Sequence, residues 1–184
     1  MKRLERKFQG EGYRTLNWGY NSWFRPIDFH ASRLKEQLQS LDEDEQVESI
    51  HFVTHSMGCI VTRAALDKTL PQKMGRWVML APPNKGSYVA NWCPRIVRSV
   101  LTPVEELRAT EDSYVNQIPV PQDIDIAVVQ ATLDYIVAES LTRVDNEKDR
   151  LIVPGLHSQI LFRRDVAEQS LHFLEHGRFR HSAN

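Results

Sequence analysis

Short apolar runs recur along this chain at intervals too long for β-hairpins, and this spacing constrains the fold more than any other feature. Five such runs are predicted strands, at residues 13–20, 49–55, 76–83, 124–132 and 149–155. Strands separated by helical connections pair in parallel, and a parallel sheet needs helices on both faces. The sequence therefore predicts an α/β fold, with a doubly wound, mostly parallel sheet covered by helices on both faces.

Several of the segments between the predicted strands show helical periodicity. Ile27, Leu34 and Leu38 recur at helical spacing, and the apolar residues after Ser56 follow the i, i+3, i+4, i+7 pattern of an amphipathic helix. A further helix is predicted before residue 13. The last helix is predicted to stop at Gly177 near the end of the sequence, because glycine commonly follows a helix C-terminus.

Residues from about 87 to 122 do not fit this alternation of strands and helices. Prolines occur there at positions 94, 103, 119 and 121, and proline interrupts both helices and central strands. We interpret this stretch as an insertion within a single domain of residues 1–184.

Composition excludes several classes of function. The formal net charge is −1 and the only cysteines are Cys59 and Cys93, so there is no basic surplus to attract nucleic acid and little scope for disulfides. No apolar run approaches the roughly 18 residues that a membrane span needs, and the start of the sequence lacks the apolar stretch of a secretory signal. We expect no nucleic-acid partner, no stable membrane insertion and a cytoplasmic location, while the oligomeric state is left open.

Ser56 stands between a predicted strand and a predicted helix, in the stretch VTHSMGCIV. A sharp strand-to-helix turn exposes a serine nucleophile and aims the backbone N–H of the next residue, here Met57, at a developing oxyanion. Gly58 follows two residues after the serine, but Thr54 stands where the common pattern has glycine. The alternative is an N-cap serine, which needs only the helix.

Four segments taken in order resemble the lipases and esterases of the α/β-hydrolase family. HFVTHSMGCIVTRAAL resembles the nucleophile turn of that family, and MLAPPNKGS resembles the segment after its next strand. TLDYIVAES resembles the family's acid loop, and LIVPGLHSQILF resembles its histidine loop. The resemblance covers essentially the whole chain. It implies the α/β-hydrolase fold, hydrolysis of small-molecule or lipid esters through an acyl-enzyme, no cofactor and no metal, and a lid formed by the insertion at about 87–122.

The remaining members of a catalytic triad are sought after the late strands, where this fold carries first an acid and then a histidine. His157 lies two residues after Gly155, beyond the last predicted strand, and Asp134 directly follows the strand at 124–132. The resemblance therefore implies Ser56, Asp134 and His157 as the triad and the Met57 N–H as an oxyanion donor. We interpret His55, in the nucleophile strand, as structural.

Two other patterns suggest competing chemistry. The stretch HFLEH at 172–176 fits the inverted zinc motif H-x-x-E-H, yet only eight residues follow it, so the end of an amphipathic helix is favoured. Cys59 lies three residues into a predicted helix, where a small packed side chain is the more ordinary role.

The resemblance also indicates that the strand and loop supplying the family's second oxyanion donor are missing from this sequence. In the family, a second oxyanion donor comes from a loop after an earlier strand, often marked by His-Gly, and the only His-Gly here is His176-Gly177. By analogy that strand lies between the runs at 13–20 and 49–55, so its absence predicts either a gap in the sheet or direct pairing of the two. Two alternatives to an ester hydrolase therefore stay open: a truncated or non-catalytic hydrolase-fold protein with a defective oxyanion hole, and an acyltransferase.

Overall fold

A four-stranded parallel sheet forms the centre of the molecule in the computed structural model, which describes residues 1–21, 25–94 and 102–181. The strands lie in the order β1-β2-β3-β4, and each neighbouring pair is parallel. Their bounds are β1 Ile50–His55, β2 Met74–Leu80, β3 Ile126–Ala131 and β4 Glu147–Val153. The prediction of an α/β fold with a parallel sheet is confirmed.

Helices fill most of the connections between strands. In the described part of the chain they are α1 Lys2–Gly10, α2 Ile27–Glu43, α3 Met57–Leu66, α4 Tyr88–Trp92, α5 Thr102–Glu106, α6 Tyr114–Gln117 and α7 Arg164–His176. Two 3-10 helices follow late strands, at Glu139–Leu141 and Gln159–Phe162. Gly177 ends α7 at φ 71°, as predicted. Among the described residues, no helix has the length and apolarity that crossing a bilayer would require.

The sheet is buried on both faces, and alternate residues of β3 show how. Ile126 and Val128 belong to the core formed with α2 and α3, whereas Ala127 and Val129 belong to the core formed with α1 and α7. All six residues of β3 are buried, as expected for an inner parallel strand covered by two helical layers. The doubly wound arrangement predicted from the sequence is therefore confirmed.

The prediction of a strand at 13–20 is wrong. These residues form neither helix nor strand, and β1 is an edge strand of the sheet. Tyr13, Trp18 and Tyr20 line one cleft of about 830 Å³ together with Phe52 and Val53 of β1. A strand needs a neighbour to bond its backbone groups, and in the described residues none lies beside this segment. Residues 13–20 therefore do not pair with β1.

The region at 87–122 carries the three short helices α4, α5 and α6, while residues 95–101 lie outside the described part of the chain. Gly86 leads into this region at φ 92°, and a Cβ there would lie 2.5 Å from the Arg108 carbonyl oxygen. Ser87 and Arg108 form an isolated parallel bridge directly beyond it. This close approach of two backbones requires glycine. The interpretation as an insertion or lid stays a prediction.

Candidate active site

Ser56 occupies the turn between β1 and α3 with a strained backbone. Its φ is 52° and its ψ is −129°, values that a residue with a side chain adopts only when its surroundings enforce them. The Ser56 N–H donates to the Leu80 carbonyl at 2.9 Å, which holds the turn against β2. Ser56 stands at the N-cap position of α3, but its hydroxyl makes no capping hydrogen bond. The hydroxyl is instead directed to another partner.

That partner is His157, and the structure brings all three residues of the predicted triad together. The Ser56 hydroxyl donates to His157 Nε2 at 2.8 Å, and His157 Nδ1 lies 2.7 Å from Asp134 Oδ2. A carboxylate oxygen only accepts, so the Nδ1 proton is fixed toward Asp134. This tautomer leaves the Nε2 lone pair free to accept the serine proton.

Asp134 is held in its charged form inside the protein. Its Oδ1 accepts the backbone N–H groups of Ile136 and Val137, each at 2.9 Å. Burial raises the pKa of this carboxyl, but the hydrogen bonds from His157 and from the backbone outweigh it, so the pKa is lower than usual. The ionised carboxylate can therefore stabilise an imidazolium at His157.

The acid loop and the histidine loop are bonded to each other where β3 and β4 end. The Thr132 N–H donates to the Val153 carbonyl at 2.9 Å, and the Leu133 N–H donates to the Gly155 carbonyl at 3.0 Å. These bonds continue the pairing of the two strands beyond the sheet. They fix the separation between Asp134 and the histidine loop.

His55 contacts His157 directly, a role that sequence reasoning missed. Its Nε2 lies 3.1 Å from the His157 carbonyl oxygen, and since a carbonyl only accepts, His55 Nε2 carries the proton. The two rings lie 4.9 Å apart between centroids. Burial lowers the pKa of His55 to about 4, so the ring is neutral at ordinary pH. The signal for this contact in the sequence was the position of His55 directly before Ser56.

Thr54 fits at the position where the common pattern has glycine because its hydroxyl is bonded on both sides. The Trp77 Nε1–H donates to Thr54 Oγ1 at 2.8 Å, and the Thr54 hydroxyl donates to Cys59 Sγ at 3.1 Å. Burial raises the pKa of the Cys59 thiol to about 12. A buried thiol that keeps its proton is no nucleophile, which favours the packing role predicted for Cys59.

Met57 begins α3 directly after Ser56. The first N–H groups of a helix have no partner within that helix, and they carry the positive end of its dipole. The Met57 N–H is therefore chemically suited to bind an oxyanion formed at an acyl group on Ser56. Its assignment as an oxyanion donor stays a prediction.

The two histidines of the pattern at 172–176 bond to the backbone at the end of α7. His172 Nδ1 lies 2.8 Å from the Arg178 carbonyl oxygen, and His176 Nδ1 lies 3.1 Å from that of His172. Their rings stack with centroids 4.2 Å apart. Across the described residues, no three histidine, cysteine or carboxylate side chains form a group that could hold a metal ion.

The comparisons with known proteins identify the fold. No family model matches the sequence, and no curated protein sequence matches it significantly. Three solved structures are similar: the mature Bacillus licheniformis lipase BlEst2 (13% identity, TM-score 0.64), the metagenomic carboxyl esterase MGS0156 (15%, 0.65) and the Pyrococcus furiosus esterase Pf2001 (15%, 0.62). In the same order, the alignments cover 86%, 84% and 95% of the length of this chain. They cover 80%, 57% and 75% of the lengths of those three proteins.

The chain thus spans little more than half the length of the metagenomic esterase, and it spans 47% of the propeptide form of the Bacillus lipase. At such low identity a structural likeness defines the fold alone. The topology of the sheet, the strained serine turn and these likenesses together identify it. This protein has the α/β-hydrolase fold.

Proposed function

We propose that this protein is a serine hydrolase that cleaves carboxylic esters through an acyl-enzyme. The observation that carries the proposal is the position of His157, whose two ring nitrogens lie 2.8 Å from Ser56 Oγ and 2.7 Å from Asp134 Oδ2. The likeness of the fold to lipases and esterases supports the same reaction class.

In the first half-reaction, Ser56 Oγ attacks the ester carbonyl carbon while His157 Nε2 takes the hydroxyl proton. The carbonyl π electrons move to oxygen, and the Met57 N–H donates to the oxyanion that forms. When the tetrahedral intermediate collapses, the bond to the alcohol oxygen breaks and His157 returns the proton to that oxygen. The alcohol leaves, and the acyl group remains esterified to Ser56.

The second half-reaction repeats these proton transfers with water as the nucleophile. His157 Nε2 removes a proton from water as its oxygen attacks the acyl carbon, and the same nitrogen then protonates Ser56 Oγ as the carboxylic acid departs. Asp134 keeps its negative charge throughout and stabilises the imidazolium. Because burial keeps His55 neutral, no like charge opposes that imidazolium from the neighbouring ring.

Hydrolysis of p-nitrophenyl butyrate by Ser56→Ala, Asp134→Asn and His157→Ala tests the proposal. Each change should lower kcat by about 10⁴-fold or more, and their effects should not add because the three side chains act as a unit. Ser158→Ala is the matched control, since it removes an exposed hydroxyl next to His157. Circular dichroism should show every variant folded. Parental turnover by Ser56→Ala would rule out the serine mechanism.

A further inference from the structure

The proposed mechanism gives the oxyanion one hydrogen-bond donor, the backbone N–H of Met57. Oxyanion sites combine backbone N–H groups with side-chain donors such as tyrosine, and removing one donor typically lowers kcat by about 10²–10³-fold. A side chain that supplies a second donor must lie beside the first turn of α3. It must also keep its proton and have no other acceptor for it.

The hydroxyl of Tyr20 lies beside the first turn of α3. Its oxygen is 3.7 Å from the position that a Cβ on Gly58 would occupy, and Gly58 is the second residue of this helix, directly after Met57. Each Cα–Cβ bond of a helix tilts toward the helix N-terminus. The hydroxyl is therefore at the end of α3 that carries the Met57 N–H and the positive end of the helix dipole.

The cleft beside β1 joins Tyr20 to the nucleophile turn. His55 and Gly58, on either side of Ser56 in the sequence, line this cleft together with Tyr20. The tyrosine and the residues that flank the nucleophile thus face one open space, with no packed layer between them.

The ring of Tyr20 is held in place by its neighbours. Its centroid lies 5.0 Å from that of Trp18 and 4.5 Å from that of His30, and the side chain packs against the core formed with α2 and α3. A donor fixed in this way before the substrate arrives needs no reorganisation during the reaction, which is the condition under which oxyanion donors are most effective.

The Tyr20 hydroxyl is a donor with no competing acceptor. Burial raises the pKa of Tyr20, so the phenol keeps its proton. Among the described residues, none forms a hydrogen bond with this hydroxyl. Two neighbouring donors in the cleft are already committed, since the Thr54 hydroxyl donates to Cys59 Sγ and His55 Nε2 donates to the His157 carbonyl.

We propose that Tyr20 is a catalytic residue whose hydroxyl donates a second hydrogen bond to the oxyanion, together with the Met57 N–H. No proton is transferred from Tyr20, because the Ser56 proton passes to His157 as before. The hydrogen bond strengthens as the carbonyl oxygen becomes negative, so it stabilises the transition state more than the bound ester. This assignment rests on the proposed function, since the oxyanion forms only when Ser56 attacks an acyl group.

Tyr20→Phe tests the assignment because it removes the hydroxyl and keeps the ring. For p-nitrophenyl butyrate, kcat should fall by about 10²-fold while KM changes little, as expected for a bond made only in the transition state. Tyr13→Phe is the matched control: Tyr13 lines the same cleft, but its ring contacts His51, four residues before His55, at 6.3 Å between centroids. This variant should keep parental kcat, and circular dichroism should show both variants folded.

Inhibition by butylboronic acid separates an oxyanion donor from a merely structural residue. Ser56 Oγ bonds to boron, its proton passes to His157, and the tetrahedral boronate that results carries the negative charge into the oxyanion site. In Tyr20→Phe the inhibition constant should rise by the same factor as kcat/KM falls, because both states lose the same hydrogen bond. In Tyr13→Phe it should be unchanged.

Parental kcat in Tyr20→Phe, or equal losses in the two tyrosine variants, would overturn the assignment. A lower kcat with an unchanged inhibition constant would also overturn it, because Tyr20 would then act outside the oxyanion site. In each of these cases, loss of hydrolysis in Ser56→Ala would leave the proposed function standing without Tyr20. A folded parental protein that hydrolyses no ester would overturn both.

Discussion

His55→Phe tests whether the neutral histidine beside Ser56 positions the catalytic base. The change keeps an aromatic ring next to His157 but removes the Nε2–H that donates to the His157 carbonyl at 3.1 Å. His157 is 6% exposed, so water cannot readily replace the lost donor. Leaving a buried carbonyl unpaired costs about 1–3 kcal/mol.

If that cost falls entirely on the productive orientation of His157, kcat falls by about 5- to 150-fold. KM for p-nitrophenyl butyrate should change little, because the lost bond is made to the base and not to the substrate. His55→Gln is the control, since its amide can donate to the same carbonyl and should recover most of kcat. Parental kcat in His55→Phe, or equal losses in both variants, would refute the positioning role.

Three further predictions concern pH, backbone strain and metal. Burial lowers the pKa of His55 from 6.5 to about 4, so the unfolded chain binds this proton more tightly. Protonation should therefore lower the unfolding free energy by about 1–3 kcal/mol as pH falls from 6.5 to 4, and urea titrations should show a smaller decline in His55→Phe. Gly86→Ala should destabilise the protein by about 1–3 kcal/mol, because the new Cβ meets the Arg108 carbonyl oxygen at 2.5 Å with φ at 92°. Gly10→Ala, whose Cβ would meet nothing within 4 Å, should not destabilise it, and equal melting temperatures for the two variants would contradict this reasoning. Ester hydrolysis should survive EDTA because the triad supplies both nucleophile and base, whereas a loss that zinc restores would require a metal mechanism.

The sequence was sufficient to predict the residues that the structure brings together as a triad. Ser56, Asp134 and His157 each directly follow a strand or lie in the loop just beyond one, and parallel strands end at the same edge of their sheet. The local pattern, taken with the resemblance to lipases and esterases, therefore predicted that these three side chains lie near each other. The distances between them, and the proton position on His157, depend on side-chain placement, which the sequence does not specify.

Features that depend on distant partners were not predictable in this way. Residues 13–20 have the composition of a strand, but a strand forms only where another backbone lies alongside to bond it. His55 was interpreted as structural because nothing in its local sequence indicates the His157 carbonyl, 102 residues away, as its partner.

Covalent labelling by a fluorophosphonate, read by peptide mass spectrometry, tests the central claim most directly. The parental protein should acquire one phosphonyl group on Ser56, because an imidazole 2.8 Å away activates that hydroxyl. Labelling should be absent in Ser56→Ala, much slower in His157→Ala and unchanged in the control Ser158→Ala. A folded parental protein that acquires no adduct on Ser56, or an equal adduct on Ser56→Ala, would contradict the account of this protein as a serine hydrolase.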